Sequence, residues 1–396
     1  MIAILLNRTF RHLFAAQVLS LLGSGLTTVA LGLLAYDLAG ADAGVVLGTA
    51  LAIKMIAYVG ISPIAGAVAA QFPRRSFLVT LDLCRAAMVL LLPLVTATWQ
   101  IYVLVFLFQA FSAGFTPTFQ ATIPDVLKDE ADYTRALSLS RLAYDLESFL
   151  SPALAFLLLA FMSFHLLFVG TTIGFLLSAI LVLTVTLPSM RSGLAEIGFV
   201  ARARRGMGIY LRTPRLRGLL ALSLTTSTAG AMVIVNTVVY VKAYLSGTDQ
   251  GVAMLMAAYG VGSMIVALVL PQVLDHIRDR SVMITGALVC VLMLAVTSAM
   301  PEFSMALAAW MAFGMGTALI LTPSGRLLAR SAHPDDRPAL FASHFSLSHA
   351  CWLLTYPLAG LLGAAFGLDV AFVVMAVLAA VGLVFAWVLW PASAGP

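Results

Sequence analysis

The sequence predicts an all-α membrane protein of twelve transmembrane helices, arranged as two pseudo-symmetric six-helix bundles. Three observations carry that expectation: a composition 62% hydrophobic and only 10% charged over 396 residues, twelve apolar runs of spanning length, and a repeat relating the two halves. A soluble domain holds about 25% charged residues. This chain has too little polar surface to cover a globule in water.

A helix crossing a bilayer core of about 30 Å needs roughly twenty apolar residues. Runs of that kind, separated by charged or Gly/Pro-bearing breaks, fall at 11–39, 43–70, 76–96, 99–120, 134–162, 165–187, 215–242, 250–274, 281–300, 303–323, 338–365 and 369–390. The opening MIAILLNRTFRHLF lacks the order of a cleaved signal peptide, so the first run is expected to stay as a span. An even number of spans puts both termini on one side. If that side is the cytoplasm, 18 of the 22 Lys and Arg collect there, Lys242 alone lies opposite, and Lys54, Arg85 and Arg141 are embedded. The positive-inside rule therefore predicts cytoplasmic termini in a multi-pass, bacterial-type inner membrane.

In the first span, Gln17, Ser20, Ser24, Thr27 and Thr28 alternate with Gly23, Gly25 and Gly32. Small residues let helices approach closely, which is the first reading of most of them; Gln17 and Thr28 are also candidates to face a cavity. Lys54 lies eleven residues into the second span, too deep to snorkel easily. It is a candidate counter-ion to a buried carboxylate or an anchor for an anionic substrate. In the third span Asp82 and Arg85 are three apart and read as a structural pair.

The fifth span contains RLAYDLESFLSP, Arg141 to Pro152. Asp145 is ten residues past Arg135, about 15 Å along a helix, which puts its carboxylate near mid-membrane. Arg141 and Asp145 share a face, while Glu147 looks elsewhere with Tyr144 and Ser151. Two readings stay open: an ion pair that locks this helix to a neighbour, or a carboxylate that binds substrate or a coupling proton.

Residues 188–214 form the longest polar connection, and its mixture of Arg202, Arg204 and Arg205 with Phe199, Val200, Ile209 and Tyr210 suits a helix at the inner membrane surface. The expected domains are thus an N-terminal bundle over 1–187, a linker over 188–214 and a C-terminal bundle over 215–396. In the seventh span Asn236 is central and uncharged, fit for a hydrogen bond between helices or for substrate. In the eleventh, His344 and His349 are five apart, on different faces, and either could titrate near neutrality and carry a proton. Cys84, Cys290 and Cys351 all fall in apolar runs and read as core packing.

The halves repeat. Pro117 and Pro152 are separated by 35 residues across an acidic loop, and Pro323 and Pro357 by 34 across another, with SLSRLAYDLESFLSP answering FSLSHACWLLTYP. Aligned so, Asp145 meets Ala350 and Glu147 meets Trp352: the acidic pair belongs to one half. A six-plus-six parallel repeat places a substrate site between two bundles that rock to give alternating access.

With twelve spans, a central linker and this repeat, the chain resembles a transporter of the major facilitator superfamily (the MFS fold) over nearly its whole length. Between spans two and three the family carries a gating motif, and GAVAAQFPRR keeps its Gly66, Arg74 and Arg75, with Ala70, Gln71 and Pro73 replacing other members. The counterpart PQVLDHIRDR keeps Asp275, Arg278 and Arg280, so the resemblance implies that part of the inter-bundle latch has moved to the second half. Ser151-Pro152, LDLCRAAMVLL and FTPTFQATIPDVL are similar to the drug/proton antiporter branch of macrolide-efflux and enterobactin-exporter type. That resemblance implies export.

The leading expectation is export of a small amphipathic compound, drug- or siderophore-like, driven by inward proton flow, with Asp145 or Glu147 as the proton site and Arg141, Lys54, His344 or His349 completing the network. Two alternatives are a divalent metal exporter for nickel, cobalt or iron, since carboxylate and imidazole suit such ions, and a non-transporting membrane sensor. No HExxH, GxSxG or Walker A pattern is present, so no enzyme and no cofactor are expected. The expected partners are a small-molecule substrate, protons and membrane lipids; nucleic acid is not, because no domain presents a basic groove. A monomer is expected.

Overall fold

The computed structural model describes residues 2–69, 72–127, 129–187, 199–274, 277–333 and 336–390, some by their backbone alone. The α-helices are α1 (Arg8–Ala39), α2 (Ala43–Ala69), α3 (Arg74–Leu91), α4 (Thr98–Val126), α5 (Glu130–Leu159), α6 (His165–Leu183), α7 (Phe199–Arg212), α8 (Pro214–Val239), α9 (Asp249–Val273), α10 (Asp279–Thr297), α11 (Phe303–Ala329), α12 (Arg337–Phe366) and α13 (Leu368–Leu389). All but α7 coincide with the twelve anticipated spans, and α7 falls in the linker. Ten helical stretches among the described residues are long and apolar enough to cross a bilayer, one of them, Arg8–Tyr58, running through α1 and into α2.

Local chemistry sets the boundaries. Asn7 and Asp129 cap α1 and α5, their side chains accepting from the backbone N–H of Phe10 and Asp132 at 3.1 and 3.0 Å. Pro214 opens α8, where a missing N–H costs nothing. Gly367, at φ +93°, turns the chain between α12 and α13 in a conformation that side chains resist.

The chain divides into two compact units: Met1–Gly40, Thr49–Ser192 and Thr248–Ala253 form the first, and Ala41–Gly48, Gly193–Gly247 and Met254–Pro396 the second. In the first, α1 packs on α5 and α6 through small residues. The Thr171 hydroxyl donates to the Gly23 carbonyl at 2.8 Å, and Ser151 of α5 sits against Gly25. At its centre Arg85 and Asp82, both buried, form an ion pair. Ser178 donates to the other Asp82 oxygen at 2.8 Å, Arg85 donates to the Ser20 hydroxyl at 3.2 Å, and its guanidinium lies over the Phe115 and Phe175 rings at 3.9 and 4.5 Å. Four helices, α1, α3, α4 and α6, thereby meet on one buried charge pair.

In the second unit α9 and α11 touch backbone to backbone. A Cβ on Gly262 would stand 2.8 Å from the Met311 carbonyl carbon, and one on Gly314 would stand 2.8 Å from that of Tyr259. A carbonyl cannot rotate aside as a side chain does. Gly262→Ala and Gly314→Ala are each expected to destabilise the protein by about 2–3 kcal/mol, at the upper end of overpacking costs. The double variant should cost less than their sum, because the helices separate once for both. Denaturant unfolding in detergent micelles checks this, and additive losses would count against one shared contact.

Candidate functional site

In the first unit α2 carries Lys54 and α5 carries Glu147, and each is the charge whose field acts on the other. Room for the glutamate comes from Gly25 of α1: Glu147 Cγ lies 3.4 Å from where a Cβ on Gly25 would be. Both side chains are only partly buried. Among the described residues neither is closed into a direct ion pair or a hydrogen bond. Opposite charges inside spanning helices that feel each other without touching leave hydrogen-bonding capacity for water, a proton or a ligand to fill.

Of the two carboxylates that the sequence singles out, Glu147 is the one among the described residues, and its charge acts on Lys54. The side chains of Arg141 and Asp145 lie outside the described residues, as does Asp275. Gln17 is buried and accepts a hydrogen bond from Ser140 of α5 at 2.9 Å, which makes it a tie between α1 and α5. Thr28 donates to the Ser24 carbonyl at 3.1 Å on its own helix. Asn236, 1% exposed, donates to the Ala359 carbonyl at 3.0 Å and fastens α8 to α12. Its Oδ1 has no hydrogen-bond partner among the described residues and stands 3.1 Å from the position of a Cβ on Gly363.

The two histidines lie in different surroundings. His349 Nδ1 lies 2.7 Å from the Phe345 carbonyl one turn back, with the Phe345 ring stacked 3.8 Å away. His344 Nδ1 lies 2.9 Å from the hydroxyl of Tyr210, which reaches it from α7. Burial pushes the Tyr210 phenol above its ordinary range, so it keeps its proton for that contact. Close to it Gly206 brings α7 onto α12, a Cβ there standing 2.7 Å from Ser343 Oγ, and Arg205 pairs with Asp336 at 2.6 Å. The linker helix is therefore bolted to α12 by a ring contact, a backbone approach and an ion pair.

Of the arginines in the two motifs expected to gate, Arg75 and Arg280 are engaged within their own units. Arg74, at the start of α3, is buried, and Arg75 donates to the Leu183 carbonyl at the end of α6. Arg278 is the exposed N-cap of α10. Arg280 donates to the Trp390 and Trp387 carbonyls at 2.6 and 3.2 Å and lies 4.9 Å from the Trp387 ring, capping α13. Sequence reasoning passed over the acid beside it. Asp279 pairs with Arg326 and lies 3.8 Å from Arg330, while Arg326 also donates to the Leu274 carbonyl at 3.2 Å. The available signal was its place in the first turn of α10, where a carboxylate is favoured.

A family model described as Major Facilitator Superfamily matches residues 13–245 and 219–396. Two relatives from Bacillus subtilis (strain 168), both described as uncharacterized MFS-type transporters, are similar to the chain. YfiS is 30% identical over 171 residues, covering 43% of this chain and 40% of YfiS; YvqJ is 22% identical over 350 residues, covering 85% and 81%. Among solved structures, a POT family transporter in complex with 5-aminolevulinic acid superposes with TM-score 0.78 at 12% identity over 97% of this chain and 96% of that one. The D-xylose-proton symporter gives 0.74 at 15% over 99% and 98%, and the nucleoside transporter NupG 0.71 at 14% over 96% and 98%. At such identities the likeness is one of fold.

Proposed function

The chain belongs to the major facilitator superfamily and is a secondary transporter, and on that premise we propose that it exports a small amphipathic compound by proton antiport, with Glu147 as the coupling carboxylate and Lys54 as its counter-charge. The observation that carries this reading is the pair itself: two opposite charges in spanning helices, within each other's field, neither closed by a protein partner among the described residues. A carboxylate held that way can trade a proton for another ligand without dismantling a salt bridge.

Export and the drug/proton antiporter branch rest on the likeness of Ser151-Pro152, LDLCRAAMVLL and FTPTFQATIPDVL to that branch. The bundles over 1–187 and 215–396 act as the two halves of an alternating-access cycle. Eighteen of 22 basic residues on one side support cytoplasmic termini in a bacterial-type inner membrane. The partners are substrate, protons and membrane lipid, and the transporter works as a monomer.

Everted membrane vesicles carrying the protein, energised acid-inside, test this across a panel of amphipathic compounds. At least one compound should accumulate and then leak out when a protonophore collapses the gradient. Uptake indifferent to the gradient would refute proton coupling, and protection of a sensitive host from nickel or cobalt instead would favour a metal as the cargo.

A further inference from the structure

The linker helix α7 has two contrasting faces. Gly206 and Tyr210, one turn apart, are buried against α12. On the far side stand Arg204, Gly208, Leu211 and Arg212, spaced i, i+4, i+7 and i+8 and therefore on one face. Arg204, Leu211 and Arg212 are exposed. A Cβ on Gly208 would meet nothing within 4 Å, so an open notch lies between the two arginines. Neither Arg204 nor Arg212 has a protein partner among the described residues, whereas Arg205 is taken by Asp336 and Arg215 donates to the Arg330 carbonyl.

We propose that this notch is a binding site for the headgroup phosphate of an anionic phospholipid. The two guanidiniums, about 12 Å apart along the helix by residue count, close on the phosphate from either side. Leu211, 49% exposed, gives the acyl chain an apolar shoulder. The charge argues for this occupant: α7 reads FVARARRGMGIYLR, with four arginines and no acid, a composition that attracts the negative inner leaflet. Position argues for it too. Only Thr213 separates α7 from α8, a spanning helix, so Arg212 stands at the depth of the headgroups. Because α7 is fixed to α12 through Tyr210 and His344, a bound lipid holds the inner end of that helix to the membrane.

Native mass spectrometry of the full chain in micelles, titrated with phosphatidylglycerol, phosphatidylcholine or soluble glycerol phosphate, tests the site. Phosphatidylglycerol should bind, and the other two far more weakly. Arg204→Gln/Arg212→Gln should weaken it roughly thirtyfold, about fivefold per arginine. Gly208→Phe should weaken it while leaving every charge in place, since the notch has room for the ring but not for ring and phosphate together. Arg8→Gln/Arg11→Gln removes equal charge from two exposed arginines elsewhere and should change little. Equal loss in that control, or unchanged binding in Gly208→Phe, would overturn the site in favour of diffuse charge attraction. Glycerol phosphate binding as tightly as lipid would reassign it to a soluble phosphate.

Discussion

Glu147→Gln is expected to abolish gradient-driven accumulation while leaving the protein able to exchange substrate down its own gradient. With one proton per substrate, each pH unit across the membrane supports about tenfold accumulation, and in the variant that ratio should fall to one. Glutamine keeps the shape and the contact over Gly25 but removes the titrating group. It also leaves Lys54 as a cation whose counter-charge is gone, so the single variant should lose stability as well. Lys54→Met/Glu147→Gln removes both charges and should recover the stability without recovering coupling. Proteoliposome transport and thermal unfolding on the same preparations separate the two effects. If the double variant still accumulates substrate in response to pH, the pair only holds α2 to α5, and the proton travels by another group.

What could be read from residues alone follows from the range of the forces involved. Burial in a bilayer acts on each run of residues independently, so α2, α9 and α13 begin and end within about a residue or two of the apolar runs that announced them, close to the ordinary uncertainty of helix ends. Where the apolar run and the helix differ, a proline or a charge is responsible. The run ending at Pro323 stops six residues short of Ala329, because the helix tolerates that proline and continues past Ser324 and Arg326. The amphipathic character of α7 was equally local and equally legible.

Contacts between helices depend on rotation and tilt, which no single run encodes. Lys54 called for a carboxylate, and Asp145 and Glu147, two residues apart and some 200° apart on an ideal helix, qualify equally by sequence; the packing of α5 on α1 at Gly25 is what fixes where the Glu147 side chain lies. The motif in PQVLDHIRDR directed attention to Asp275 and away from Asp279, whose partners Arg326 and Arg330 lie on another helix. Tyr210 and His344 are separated by 134 residues.

Removing Arg85 alone is expected to be the most damaging single change in the first unit, at about 3–5 kcal/mol, the cost of stranding a buried charge. In Arg85→Met the Asp82 carboxylate keeps one hydrogen bond, from Ser178, and loses its cation. Two aromatic faces, Phe115 and Phe175, lose the guanidinium between them, itself worth about 2 kcal/mol where water is excluded. Asp82→Leu/Arg85→Met should stand within about 1 kcal/mol of the wild type, since a well-packed apolar replacement of a buried ion pair is often neutral or better. Unfolding in micelles reads both. The contrast decides what the pair is for. A stable double variant that still transports marks the pair as internal glue, in keeping with its complete enclosure by α1, α3, α4 and α6. A stable double variant that folds but no longer transports would mean that these four helices must rearrange around a charge that apolar side chains cannot imitate, and the coupling route would then have to include Asp82.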